Sequence, residues 1–177
     1  MQTLDKQKAA VIIDNGAKTT KAGFSGEEKP KFVFPTLSAQ SKYPNNPDFE
    51  HSNLIFGQEA LKRAQVLDLV TPLKDGAIQN FGAMEQIWRH IFHDKLKVEP
   101  ERQPVLLTES PLNSMESRRR MLEFFFEDLK VPAFFVCSQP LLALYASGKT
   151  TGLVVDSGED RTYAVVVYEG EDIIEIY

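Results

Sequence analysis

AVIIDNGAKTTKAGF, Ala10 to Phe24, and GLVVDSGEDRTYAVV, Gly152 to Val166, decide the fold, because the second repeats the first at an offset of 142 residues. On that offset Asp14 meets Asp156, Gly16 meets Gly158, Thr20 meets Thr162 and Lys18 meets Asp160. Each copy is a short apolar run ending in Asp, then a small-residue turn, then a second run, which is the pattern of a β-hairpin. One unit spans roughly Ala9 to Ser147 and a second opens at Thr151, so the chain reads as a duplication whose second copy is cut short.

Outward from the first hairpin, KFVFP (Lys31–Pro35) reads as a third strand stopped by proline. Residues 38–53, SAQSKYPNNPDFEHSN, read as a polar loop, and GQEALKRAQVL (Gly57–Leu67) as a helix. In NFGAMEQIWRHIFHDKL the residues Met84, Ile87, Trp88, Ile91 and Phe92 share one helical face. PVLLTES and VPAFFVCS are nearly continuous apolar runs, the signature of buried and parallel strands. A helix starting at Asn113 and Glu116 separates them, with Leu122, Phe125, Phe126 and Leu129 as its core stripe. QPLLALYAS, with proline in its first turn, is a further helix before the repeat.

Composition bounds the function. Hydrophobic residues make up 42% and charged residues 25% of 177, the balance of a globular chain long enough to bury a core. A formal net charge of −5 speaks against a general affinity for nucleic acid or an anionic membrane. Cys137 is the single cysteine, so no intramolecular disulfide is available and a reducing, cytoplasmic setting is expected. No apolar run approaches the ~20 residues of a membrane span, and the polar opening MQTLDKQKAA lacks the apolar core of a secretory signal.

An Asp at a buried strand end, followed by a tight turn, presents backbone N–H groups that can cradle phosphate oxygens, while the carboxylate addresses the accompanying metal. Two such tips facing across a cleft would clamp one polyphosphate from both sides. The same residues also serve turn geometry alone, so spacing leaves a clamp and a merely structural pair of hairpins both open.

DNGAKTTKAGFSGEEKP, VFPT, PLKDGAIQNFGAMEQIW, QPVLLTESPLN, LYASGKTTGLVVDSG and VYEG together resemble the actin and actin-related protein family, in one register from about Val11 to Gly170. The resemblance implies an α/β, actin-like ATPase (ribonuclease H-like) fold, a mixed sheet with flanking helices. Residues 1–150 would form the first lobe, with 38–67 as a small inserted subdomain, and 151–177 would supply only the first hairpin of a truncated second lobe. It implies ATP or ADP with Mg as cofactor. Carried over, Asp14 and Asp156 would address the metal through water with Gln139, also the candidate catalytic side chain. Lys21 would reach the phosphates, and Gly16, Ala17 and Lys18 with Ser157, Gly158, Glu159 and Asp160 would form the two loops.

Against the family pattern, Lys18 and Asp160 replace glycines, Ala17 replaces a serine, Tyr163 stands at the histidine near the attacking water and Asp75 at the histidine of the sensor loop. A non-glycine residue in left-handed backbone costs roughly 1–2 kcal/mol, so both tips are expected to be strained. Lys18 and Asp160, at equivalent positions of the two copies, either face one another as an ion pair across the cleft or both point into solvent. These changes disfavour ATP hydrolysis and point to a structural, scaffold subunit of a cytoskeletal assembly with a degenerate nucleotide site. The alternative is half of a working ATPase completed by another chain. Other protein subunits are the implied partners, covering the first lobe where the family's C-terminal segment would lie. The 38–53 loop, in which Tyr43 and Phe49 are the only large apolar groups, argues against ordinary actin-type self-polymerisation. Arg118–Arg120 read as a solvated helix face, His90 and His93 as a pair lacking a third metal ligand, and Cys137 as a buried small hydrophobe.

Overall fold

The structure is a computed structural model that describes residues 9–42, 54–111 and 113–176. The chain opens as a meander, β1 (Val11–Asn15), β2 (Thr19–Phe24) and β3 (Phe32–Pro35), followed by β4 (Ser38–Ser41), β5 (Ile55–Phe56), α1 (Gly57–Lys62) and β6 (Leu67–Val70). A tight hairpin, β7 (Leu73–Lys74) and β8 (Ala77–Ile78), precedes α2 (Phe81–His90), which runs on as a π-helical segment, Ile91–Leu96. Then come β9 (Val105–Glu109), α3 (Met115–Glu123) with a π-helical continuation Phe124–Asp128, β10 (Phe134–Ser138) and α4 (Gln139–Ala146). A second meander, β11 (Gly152–Ser157), β12 (Thr162–Tyr168) and β13 (Glu171–Ile176), ends the described chain. Its third strand goes beyond the single hairpin expected of residues 151–177.

The main sheet has the order β10-β9-β1-β2-β3, with β1, β9 and β10 parallel and the meander antiparallel, so it is mixed as expected. Val11, Ile13, Val105 and Leu107 project from one face onto Met84, Ile87, Trp88 and Ile91 of the first long helix and Met121, Phe124 and Phe125 of the next. Burying each of these large side chains contributes about 1.5–3 kcal/mol, which makes this layer the main source of stability. A small cluster, Leu37, Ala39, Ala60 and Leu67, holds the 38–67 excursion together, and Leu144 packs α4 on Tyr163, Val165 and Val167 of β12.

The starts of α2 and α3 are capped by side chains: Asn80 Oδ1 accepts from Ala83 N at 3.0 Å, and Ser114 Oγ from Ser117 N at 3.0 Å. Ser114, and not Asn113, is therefore the cap of α3, because its hydroxyl reaches the third helical amide. Asn113 instead donates to Glu109 Oε2 at 2.9 Å. The core stripe of α3 also differs from expectation. Phe125 and Leu129 are buried, but Leu122 and Phe126 are exposed, and Met121 and Phe124 take their places. Met121, Phe124 and Phe125 keep regular helical spacing, so the stripe lies one residue earlier than expected; the π-helical turn, marked by Leu129 N donating to Phe124 O at 3.0 Å, then brings Leu129 to the buried side.

Two further expectations are corrected. The helix expected to reach Leu67 ends at Lys62, because Leu67–Val70 is drawn into a strand beside β4. Of the expected 38–53 loop, Ser38–Ser41 is that strand; Tyr43 and Phe49 lie outside the described residues. Arg118, Arg119 and Arg120 point three ways: to Glu109 at 2.8 Å, to Glu116 at 3.1 Å, and over the Phe81 ring at 4.1 Å. His90 stacks on Phe56, with ring centroids 4.4 Å apart, and its Nδ1 lies 2.6 Å from Asp94 Oδ2. Among the described residues no His, Cys, Asp and Glu cluster could hold a metal. Cys137 is buried, and burial pushes its thiol up, as befits an inert side chain.

Candidate functional site

The two repeats fold identically at their tips. β1 and β2 pair with Asp14 opposite Lys21 and Asn15 opposite Thr20, and β11 and β12 pair with Asp156 opposite Tyr163 and Ser157 opposite Thr162. The register is thus the same at the 142-residue offset. Gly16 N donates to Thr19 O at 3.1 Å, and Gly158 N to Arg161 O at 2.9 Å, so each four-residue tip closes on its own backbone. A Cβ on Gly16 would stand 2.7 Å from Thr19 O, which explains the glycine there without any ligand.

Both tips, with the ends of β1 and β9 and the start of α4, line one cleft of about 610 Å³. Asp14, Gly16, Ala17, Lys18, Lys21, Gln139, Asp156, Ser157, Gly158, Glu159 and Asp160 all face it. The structure therefore brings into one cleft the residues named for metal and phosphates, while Asp75, His90, His93 and Cys137 lie outside its lining.

Asp14 is the best-organised group in the cleft. Lys21 Nζ donates to its Oδ2 at 2.8 Å, while Thr108 Oγ1 at 2.7 Å and Gln139 Nε2 at 3.0 Å donate to Oδ1. Burial alone pushes the Asp14 carboxyl up, but the hydrogen bonds from Lys21, Thr108 and Gln139, with the Lys21 charge, outweigh it and hold the group below its ordinary range. Asp156, its counterpart, has no protein donor among the described residues. Thr108 was not singled out in the sequence; its one signal is a hydroxyl interrupting the apolar run VLLTE. Nor was Asn15, whose amide N donates to Thr108 Oγ1 at 3.1 Å and whose Oδ1 accepts from Trp88 Nε1 at 3.3 Å.

Around the tips the expectations need correction. Lys18 pairs with Glu159, Nζ to Oε2 at 2.8 Å, and not with Asp160. Asp160 Oδ2 instead accepts from Gly76 N at 3.4 Å. Neither Lys18 nor Asp160 adopts positive φ, so the left-handed strain expected at the tips is absent. Left-handed backbone occurs instead at Asp75 (φ 53°) and Gly76 (φ 69°), the two-residue turn between β7 and β8, where consecutive positive φ values suit an Asp-Gly hairpin. That turn sits against the second repeat: a Cβ on Gly76 would overlap Tyr163 Oη and stand 2.6 Å from Ser110 Oγ. Ser110 and Tyr163 are themselves bonded at 2.6 Å.

Several donors and acceptors of the cleft are already engaged within the chain. The Lys18 ammonium is engaged by Glu159, a second carboxylate takes the Gly76 amide, and both oxygens of Asp14 already accept from the protein. The carboxylates between the tips would repel phosphate oxygens.

A family model described as Actin matches residues 5–175, nearly the entire chain. The match agrees with the mixed α/β architecture and with the resemblance of the hairpin motifs. The chain belongs to the actin family.

Proposed function

We propose that this protein is an actin-like structural subunit of a larger cytoskeletal, cytoplasmic assembly, with a nucleotide site that has lost its ligand. The observation that carries the reading is Glu159 seated on Lys18 across the two hairpin tips, in space that a nucleotide-binding relative would need for phosphate. Apolar surface supports a role through partners. Phe135, Leu106 and Ile12 lie side by side across β10, β9 and β1 on the face away from the long helices, and Phe135 is 63% exposed. Other protein subunits would cover this row. With a net charge of −5, neither nucleic acid nor an anionic membrane suits as partner; among the described residues no helix is long and apolar enough to cross a membrane.

The second reading is half of a working ATPase, completed by another chain. The donor network around Asp14, with Lys21 and Gln139 in place, favours it.

Thermal unfolding with and without MgATP separates the two. Saturation at a hundred times Kd adds about 2.7 kcal/mol to the stability of a binder, or roughly 5–10 °C in Tm at this chain length. The scaffold reading expects a shift below about 1 °C, and the larger shift would replace it by the ATPase reading.

A further inference from the structure

Three contacts span the cleft without any ligand: Lys18 to Glu159 at 2.8 Å, the Gly76 amide to Asp160 Oδ2 at 3.4 Å, and Ser110 to Tyr163 at 2.6 Å. The first joins residues 141 apart and the second residues 84 apart, so they tie the second repeat to the first tip and to the Asp75–Gly76 turn. Anion-binding clefts of this kind usually place cations and amides around a vacant seat that the ligand fills. Here Lys18, Lys21 and Arg161 all line the cleft; the Lys18 ammonium is matched by Glu159, the Lys21 ammonium by Asp14 and the Gly76 amide by Asp160.

We infer that Glu159 and Asp160 act as built-in counter-ions that hold the two hairpins together in place of an anionic ligand. Closure of the cleft then needs no nucleotide, and a polyphosphate enters only by displacing them. This rests on the degenerate-site reading and supplies its physical cause. Lys18 and Glu159 side chains are 68% and 53% exposed, so the pair adds little to overall stability. Its effect lies in position: it discharges the cation of the first tip and puts negative charge in the anion's path.

Two measurements test this on the whole protein. Hydrogen exchange of segments 73–78 and 157–162 reads closure. The wild type is expected to be protected and unchanged by MgATP or inorganic tripolyphosphate. K18E, which sets two carboxylates against one another, is expected to lose protection, and the charge swap K18E/E159K to regain it. Calorimetric titration with tripolyphosphate reads the seat. E159Q/D160N keeps the shape and the acceptor for the Gly76 amide while removing both charges, and is expected to bind at least about tenfold more tightly than the wild type. Failure of the charge swap to restore protection, or equal affinity of E159Q/D160N and wild type, overturns the inference while leaving the scaffold reading standing. MgATP binding and protecting the wild type would overturn both.

Discussion

At the scale of single residues, Asp14 links geometry to a measurable pH dependence. Its carboxyl is held below its ordinary value in the fold, so the unfolded chain binds its proton more readily. The stabilisation is complete above the unfolded pKa and is lost as pH falls through the lower folded value, below about pH 4. Asp14→Asn is therefore expected to be less stable than the wild type at pH 7 by about 1–3 kcal/mol, with the gap closing on the acid side; urea midpoints at a series of pH values would show it. Asp14 was legible in the sequence because motif and repeat both mark it, whereas Lys21 and Gln139 were legible only through the family resemblance. The partner of Lys18 was not. An offset in a duplication equates backbone positions, whereas pairing at a tip depends on which way each side chain leaves the turn, and the neighbouring Glu159 is the one that reaches. Thr108 was hidden because a strand-end hydroxyl in an apolar run carries no periodic signal.

At the scale of elements, most strands and helices follow from period and punctuation, and the failures share a cause in tertiary context. The α3 stripe was read one residue too late: Met121, Phe124 and Phe125 share the buried face at regular spacing, and the Phe124–Asp128 π turn only adds Leu129 to it. Phe125 stacks on Phe134 with centroids 4.4 Å apart and is fully buried, while Phe126 is 45% exposed. Phe125→Ala should cost about 3–5 kcal/mol, and Phe126→Ser no more than about 1 kcal/mol. Equal losses in chemical denaturation would mean that Phe125 does not face the core in solution while Phe126 faces out. In the same way, a helical pattern through Leu67 yields to strand pairing, since backbone hydrogen bonds to Ser38–Ser41 outweigh weak local propensity.

At the scale of the whole molecule, the duplication is the organising fact, and the two copies are unequally dressed. The first sheet has helices over one face; the second meander has α4 over one side of β11 and β12 and leaves Leu153 and Val155, 63% and 65% exposed, on the other. Such a bare β face invites association. Leu153→Thr with Val155→Thr keeps strand-favouring side chains, so the free energy of unfolding should change by less than about 1 kcal/mol. Self-association measured by sedimentation velocity should fall; an unchanged profile would show that this face takes no part in contacts between copies. The bare faces were foreseeable only in outline, because a sequence shows which residues are apolar and not what lies over them. One consequence follows from the way each tip is tied by its own glycine amide to a carbonyl three residues on. The scaffold needs nothing from the side chains at the crest, so they are free to diverge in sign, one crest basic and the other acidic. On an unchanged frame, opposite charges at the two crests give the pair the means to fasten to one another, as Lys18 and Glu159 do.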